Sequence, residues 1–477
     1  MLWTAIHLPD LPLQARFRGA CPPEPAAIVA GGGRPRVIAC CPRALAAGVA
    51  PGMSAAAARA RLPRLALYPR REDDEREARA SAAAWALQFT PTASLIPEGV
   101  LLEVQGSLRL FGPPARLAGR LRAGLAAMGL AARIATAPTP LAAEWLARAG
   151  VERAVLDRRR LAQAIGRLPL GLLGAPEETL RALRALGART LGDCLALPRA
   201  GLARRFGQEL LDELDRALGR LPDPRPPFAP PQTPCACLSL PSPVSEAEAL
   251  LFAARRLLAG LCGQLAARGE GATRVQALLH RERGGPIALS MRLAAPGRDP
   301  AFLCSLLRER LGQTRLAGPV VGLCVSAPER LPLAARPGAL FGDPARPPEE
   351  LAKVLARVRA RLGEGAVAYL SCAPDHRPER AHREAEASPG QEERLPLGLR
   401  PLWLLERPEP LECEGGRPTA GGELALLDGP ERIEAGWWDG RPAARDYFVA
   451  RNPRGETWWV YRERRAPFGW FLHGFFA

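Results

Sequence analysis

Three carboxylates near the N-terminus are candidates for metal chemistry. Asp10 lies within the strand-like segment Thr4-Ala-Ile-His-Leu-Pro-Asp-Leu-Pro-Leu-Gln-Ala15. Glu98 and Glu103 lie in a second, Pro97-Glu-Gly-Val-Leu-Leu-Glu-Val-Gln-Gly-Ser-Leu-Arg-Leu-Phe-Gly112. Mg²⁺ takes oxygen ligands, and two-metal phosphoryl transfer needs several carboxylates converging on one point. Here the acids are few: Asp10 stands between Pro9 and Leu11, and Glu98 is followed by Gly99. If the first strand continues through this stretch, Asp10 falls on the face opposite to Pro9 and Leu11.

Other chemistry is sparse. None of the 11 cysteines forms a C-x-x-C pair, and neither Cys40-Cys41 nor Cys235-Ala-Cys237 has structural zinc spacing. The remaining cysteines sit among apolar neighbours, as reduced core thiols do. The run Gly31-Gly-Gly-Arg-Pro-Arg36 lacks a P-loop lysine and reads as a turn between strands. His473 has no second ligand nearby in sequence and reads as structural. No metal and no cofactor is expected.

Lys+Arg 65 against Asp+Glu 49 gives +16, which favours a polyanionic partner such as DNA. Lys353 is the only lysine, so GC-rich coding explains the choice of arginine but not the positive balance. With neither a leader pattern nor an apolar run of about 18 residues, a reducing, cytoplasmic location and no membrane partner are expected.

The 477 residues are enough for several domains. Strands are expected at 2–8, 99–105 and 131–136, and helices at 54–61, 72–87 and 114–128, an order that suggests a split βαβ unit within 1–150. Residues 151–220 are helical in pattern. Gly174 precedes one helix, and Gly187-Ala-Arg-Thr-Leu-Gly-Asp193 forms a hairpin into the next. Such turns can aim backbone N–H groups at a phosphate or simply join a bundle, which makes Gly174, Gly187, Arg189, Thr190 and Gly192 candidate DNA contacts. A proline-rich tether spans 221–235. Residues 236–334 follow, with a helix at 244–268, strands at 272–280 and 286–293, a helix at 299–312 and a strand at 319–326. A break covers 335–350. The last region, 351–477, starts in a helix, passes a loose polar stretch at 373–394 and ends in alternating strands. Six of the nine tryptophans lie from Trp403 onward.

Five segments, in collinear order over roughly residues 1–330, resemble Y-family translesion DNA polymerases. Cys41-Pro-Arg-Ala-Leu-Ala-Ala-Gly-Val-Ala-Pro-Gly-Met53 is similar to the fingers motif. Leu62-Pro-Arg-Leu-Ala-Leu-Tyr-Pro69 and Gln88-Phe-Thr-Pro91 are similar to the segments that precede the second catalytic strand. Ala137-Pro-Thr-Pro-Leu-Ala-Ala-Glu-Trp-Leu-Ala147 is similar to a palm motif, and Leu186-Gly-Ala-Arg-Thr-Leu-Gly-Asp193 to the thumb hairpin. The resemblance implies an α+β right hand: split βαβ palm, small fingers, helix-hairpin-helix thumb and DNA-binding little finger, followed here by a β-rich extension. It also places the catalytic aspartates of the first strand at Pro9 and Leu11, and the acidic pair of the second at Glu98 and Gly99. Glu103 matches an outer, non-catalytic acid, and Gln14 falls where aromatic residues screen the sugar. Pro42 and Leu45 replace the fingers Tyr and Arg, and Pro140 and Glu144 replace two palm lysines. Asp10 and Glu98 are left as relics.

The tail segments Arg400-Pro-Leu-Trp-Leu-Leu405, Pro430-Glu-Arg-Ile-Glu-Ala-Gly-Trp-Trp-Asp-Gly440, Ala444-Arg-Asp-Tyr447 and Trp470-Phe-Leu-His-Gly-Phe-Phe476 resemble the ImuB-type, catalytically inactive branch of that family. The resemblance implies a translesion adaptor, nucleoid-associated in a bacterium. Its partners would be DNA, the beta sliding clamp, a RecA-like ImuA protein and an error-prone C-family DNA polymerase. Leu340-Phe341 is the candidate clamp peptide, with Gln391 and Leu395-Pro-Leu397 as a second choice and packing on the neighbouring domain as the plain alternative. Trp437, Trp438, Trp458 and Trp459 are candidate partner contacts that could instead stack single-stranded bases or fill a core. The rival functions are an active divergent polymerase using Asp10, Glu98 and Glu103, and a repair protein that binds DNA without a clamp.

Overall fold

A short, wholly buried segment at the N-terminus builds an inner strand of a four-stranded sheet, the platform for the acidic segments. The computed structural model describes residues 1–20, 22, 24–333, 349–385 and 400–476. The first seven strands are β1 (Trp3–His7), β2 (Ala26–Ala30), β3 (Arg36–Cys40), β4 (Ala66–Pro69), β5 (Ala93–Ile96), β6 (Gly99–Glu103) and β7 (Arg133–Ala137). Among them run helices α1 (Leu11–Phe17), α2 (Pro42–Ala46), α3 (Ala55–Arg61), α4 (Glu72–Ala86), α5 (Leu108–Phe111) and α6 (Pro114–Ala127), and α7 (Pro140–Arg148) follows β7.

The palm sheet has the order β5-β6-β1-β7 and is antiparallel throughout. One face carries Ile6, Val100 and Ile134 against α4 and α6; the other carries Trp3, Ala5 and Leu101 against Trp145 and Leu146 of α7. Burial on both faces explains why these strands read as nearly continuous apolar runs. A smaller sheet, β3-β2-β4, packs with α2 and α3 as the fingers. The thumb is five short helices: α8 (Leu161–Gly166), α9 (Glu177–Ala185), α10 (Leu191–Ala196), α11 (Arg199–Phe206) and α12 (Gln208–Leu218).

The proline-rich tether is extended, as expected, yet it is docked. The Phe228 N–H donates to the Ala93 carbonyl at 2.7 Å, and its ring joins the palm core. Beyond it, the sheet of β8 (Cys235–Val244), β9 (Glu270–Arg281), β10 (Ile287–Gly297) and β11 (Val320–Pro332) has the order β10-β9-β11-β8. Helices α13 (Ala247–Ala267), α14 (Pro300–Gly312) and α15 (Glu349–Leu362) cover one face. By length and apolar content α13 could cross a membrane, but most of it is buried as the core helix of this domain. Helix α15, expected to open the C-terminal region, instead contributes Ala356 and Ala360 to this core. Strand β8 was not foreseen.

The little-finger domain is wedged onto the palm by Trp85. A Cβ on Gly124 of α6 or on Gly263 of α13 would overlap the indole, so both positions need glycine. The reading of Cys324 as a reduced core thiol is corrected here. The register sets Cys324 of β11 opposite Cys237 of β8, Cα to Cα 4.1 Å, and the two form a disulfide. A sequence separation of 87 conceals that pairing in the sequence.

Residues 365–477 form a separate compact unit. A hairpin of β12 (Tyr369–Cys372) and β13 (His382–Ala385) occupies part of the stretch expected to be loose. Strands β14 (Trp403–Glu414), β15 (Arg417–Thr419), β16 (Ala425–Ala435), β17 (Ala443–Arg451), β18 (Thr457–Glu463) and β19 (Gly469–Phe475) form one sheet, β15-β14-β19-β18-β17-β16.

Candidate metal centre and nucleic-acid interface

The acidic segments do not converge. β1 stops at His7, Pro9 follows, and Asp10 is not on a strand face as expected. It adopts a left-handed backbone (φ 51°) and is exposed at the start of α1, where its carbonyl accepts from the Leu13 and Gln14 N–H groups. Leu11 is buried in the first turn of that helix. Gly99 lies opposite His7 in the ladder, and a Cβ there would overlap the Ile6 carbonyl oxygen, so this backbone has no room for an acidic side chain. Glu98 is 55 % exposed, with its carboxylate 3.8 Å from His7 Nδ1 and 3.9 Å from Arg148 Nε. Glu103 pairs with Trp3 at the far end of β6, about 13 Å away along the strand, where it accepts from the Gln105 N–H at 3.2 Å.

Burial pushes the His7 imidazole below its ordinary pKa. Glu98 opposes that shift, while Arg133 and Arg148 reinforce it. Cations therefore surround the point where a polymerase would gather carboxylates. Among the described residues no group of three His, Cys, Asp or Glu is placed to hold a metal ion. The residues present do not fit the two-magnesium centre that the Y-family resemblance implies.

Of the positions that would meet a nucleotide, some have taken structural work and the others carry no charge. Gln14 exchanges two hydrogen bonds with the Ala131 backbone, at 3.0 and 2.7 Å, and so ties α1 to the loop before β7. Pro140 is buried in α7. Glu144 is buried against Arg225 of the tether at 3.5 Å, and burial raises its pKa. Pro42 and Leu45 are exposed on α2 without a charged group.

In the thumb, the glycine turns lie where expected, and the N–H groups of Gly174, Gly187, Arg189 and Thr190 are already bonded. The Gly174 N–H donates to Glu213 at 2.9 Å. The Arg189 and Thr190 N–H groups both donate to Asp193 at 2.9 Å, which holds that carboxyl below the usual range, and Thr190 completes a capping box. Gly187 turns the chain at φ 89°, and Gly192 lets α10 approach the Gly166 carbonyl. These turns are built as caps. Four of these N–H groups are thus spent within the fold, and Arg189 presents an exposed cation.

The open face of the little-finger sheet is the stronger candidate surface for DNA, and its residues were not singled out from sequence. Along β9 and β10, Val275, Ala277, Leu289 and Met291 point into the core, while Arg274, Gln276, Ser290 and Arg292 point outward. Arg292 is paired with Arg274 and Ser290 with Gln276 in the ladder, and Arg274 Nε donates to Ser290 Oγ at 2.9 Å. Period-two alternation was the signal available for this face.

In the C-terminal unit, Trp459 is buried and stacks on Tyr447, so it belongs to the core rather than to a partner surface as expected. Trp458 is half-buried against Phe475. Trp437 and Trp438 are 74 % and 56 % exposed in the turn after β16. His473 is structural: its Nδ1 meets the Tyr447 hydroxyl at 2.8 Å, and burial pushes its pKa down to about 4. Both clamp candidates, Leu340-Phe341 and Leu395-Pro-Leu397 with Gln391, lie outside the described residues.

Residues 21–148 match the impB/mucB/samB family. Protein ImuB from two strains of Caulobacter vibrioides, NA1000 and ATCC 19089, is 31 % identical over 459 residues, covering 90 % of this chain and 100 % of the relative. Among solved structures, a chimeric Y-family DNA polymerase built on Dbh aligns at TM-score 0.41 and 15 % identity, over 69 % of this chain and 98 % of its own. DinB from Sulfolobus solfataricus aligns at TM-score 0.39 and 14 % identity, over 70 % of this chain and 100 % of its own.

Proposed function

The chain belongs to the ImuB family of DNA-damage-related Y-family polymerase relatives, and from that premise we propose that it is a non-catalytic adaptor in error-prone translesion synthesis. It would hold damaged DNA, the beta sliding clamp, a RecA-like ImuA protein and a separate, error-prone C-family polymerase in one assembly. The observation that carries this reading is Gly99. Its position against the Ile6 carbonyl removes an acidic position from the palm by backbone geometry, not only by sequence. The dispersed carboxylates, the caged Glu144 and the guanidinium groups around His7 support the same reading. DNA would be held by the outward Arg274 and Arg292 of the little-finger sheet and by the +16 balance of the chain. Clamp contact would run through Leu340 and Phe341, and polymerase contact through the C-terminal unit.

The second reading, an active divergent polymerase using Asp10 and Glu98, has one favourable observation: both acids are solvent-exposed. Pull-down of purified sliding clamp on the full chain tests the adaptor reading. Retention by the wild type, lost in the Leu340→Ala, Phe341→Ala double variant, is expected. Absent retention, or retention unchanged by the double substitution, contradicts the assigned clamp contact.

A further inference from the structure

The C-terminal sheet presents an aromatic tip at one end. Ala435 pairs with Ala443, Arg445 with Glu463, and Glu463 with Gly469, so the β16–β17 turn and the β18–β19 turn emerge side by side. The first turn exposes Trp437 and Trp438, and the second exposes Phe468 at 74 %. The tip is held in one shape. Arg377, only 3 % exposed, donates to Asp375 at 2.6 Å, to Asp439 at 2.7 Å and to the Arg441 carbonyl at 2.9 Å. Its guanidinium also lies 5.7 Å from the Trp438 ring. Gly436 has φ 85°, and a Cβ there would meet Arg377 Nη1 at 2.5 Å, so the turn closes only around glycine. A buried ion pair that fixes exposed aromatic rings reduces the ordering cost of binding.

Charge around the tip is one-sided. Asp439 pairs with Arg377 and Arg380, Glu434 with Arg464, and Glu463 with Arg445. By contrast, no carboxylate pairs with the side chains of Arg441 or Arg465 among the described residues, and both are exposed. The two indoles meet edge to face at 82°, centroids 4.6 Å apart, so they offer no run of parallel faces for successive bases. Separate apolar knobs ringed by unpaired cations suit apolar anchors flanked by acids.

We propose that the tip formed by Trp437, Trp438 and Phe468 with Arg441 and Arg465 binds an acidic peptide segment of a protein partner through apolar anchors. The proposal rests on the reading of this unit as partner-binding and adds where on the unit the partner docks and what chemistry it brings. The test is selection of a random short-peptide display library on the full chain, with oligo(dT) retention measured in parallel. Wild-type chain is expected to enrich acidic sequences with aromatic or aliphatic anchors. Affinity for the selected peptides should fall at least about tenfold in Trp438→Ala and in Phe468→Ala, while Arg441→Glu, Arg465→Glu should turn the selection toward basic sequences. Enrichment without acidic bias, or unmoved by these variants, overturns the proposal, as does oligo(dT) retention that the same variants abolish. Peptides lost with Trp403→Ala, an exposed residue at the opposite end of the sheet, would overturn the tip while leaving the unit partner-binding. No enrichment by the wild-type chain would contradict both.

Discussion

At the scale of single residues, the palm differs from a metal centre in backbone as well as in side chains. Asp10 has left the strand, Leu11 is buried, and Gly99 is pressed against the neighbouring strand. Gly99→Glu, which restores an acid by name, is therefore expected to destabilise the N-terminal unit by roughly 1–3 kcal/mol or more and to confer no nucleotide incorporation. Thermal melting together with primer extension checks it; an unchanged melt would show that β1 yields easily. In the C-terminal unit the residue to watch is His473. Burial, opposed by Glu379 and reinforced by Arg445, lowers its pKa from 6.5 to about 4. Between those values the unfolded chain takes up a proton that the folded chain does not. Stability is thus greatest above pH 6.5, falls as the pH drops toward 4, and gains no further slope from this group below that. Melting across that range should show the decline, and His473→Gln should flatten it.

At the scale of elements, the contacts that fix the frame are glycine notches and caps, which a sequence shows only as small residues. Trp85 fills the notch made by Gly124 and Gly263, and removing it empties a buried site between palm and little finger. Trp85→Ala is expected to cost about 3–5 kcal/mol, read as a lower denaturation midpoint for the N-terminal unit; a loss below about 1 kcal/mol would mean the two domains are held elsewhere. Most elements were legible because apolar periodicity marks β1, α4, α6 and α13 directly. Strand β8 was not, because Pro241 and Pro243 continue the proline signal of the tether. Both are tolerated because β8 is an edge strand, where a missing N–H costs no ladder bond. The tail tryptophans show the same limit: residue type predicts that Trp459 and Trp438 are valuable, but only the sheet register separates a core ring from an exposed one.

At the scale of the whole molecule, the chain keeps a polymerase frame and a net positive charge while its acids are spent on structure. Glu213 and Asp193 cap thumb turns, Glu144 anchors the tether, and Glu103 closes a strand end. The missing carboxylates were legible in the sequence, since Pro9, Leu11 and Gly99 cannot ligate a metal. The placement of Arg133 and Arg148 around His7 was not, because it depends on the register of β7 beside β1 and on how α7 packs on that sheet. DNA binding should follow the little-finger face. Arg274→Ala and Arg292→Ala are each expected to weaken duplex binding without changing sequence preference, and to reduce the slope of log K against log salt by about 1. Unchanged binding in the double variant would shift the interface to the thumb.

The central claim, that this Y-family frame does not itself polymerise, is met most directly by a primer-extension assay. The full chain, a primed template, all four deoxynucleoside triphosphates and either Mg²⁺ or Mn²⁺ are combined without any other polymerase. The expected result is no template-dependent extension with either ion. Extension by the wild-type chain that is abolished by Asp10→Ala or Glu98→Ala would contradict the account.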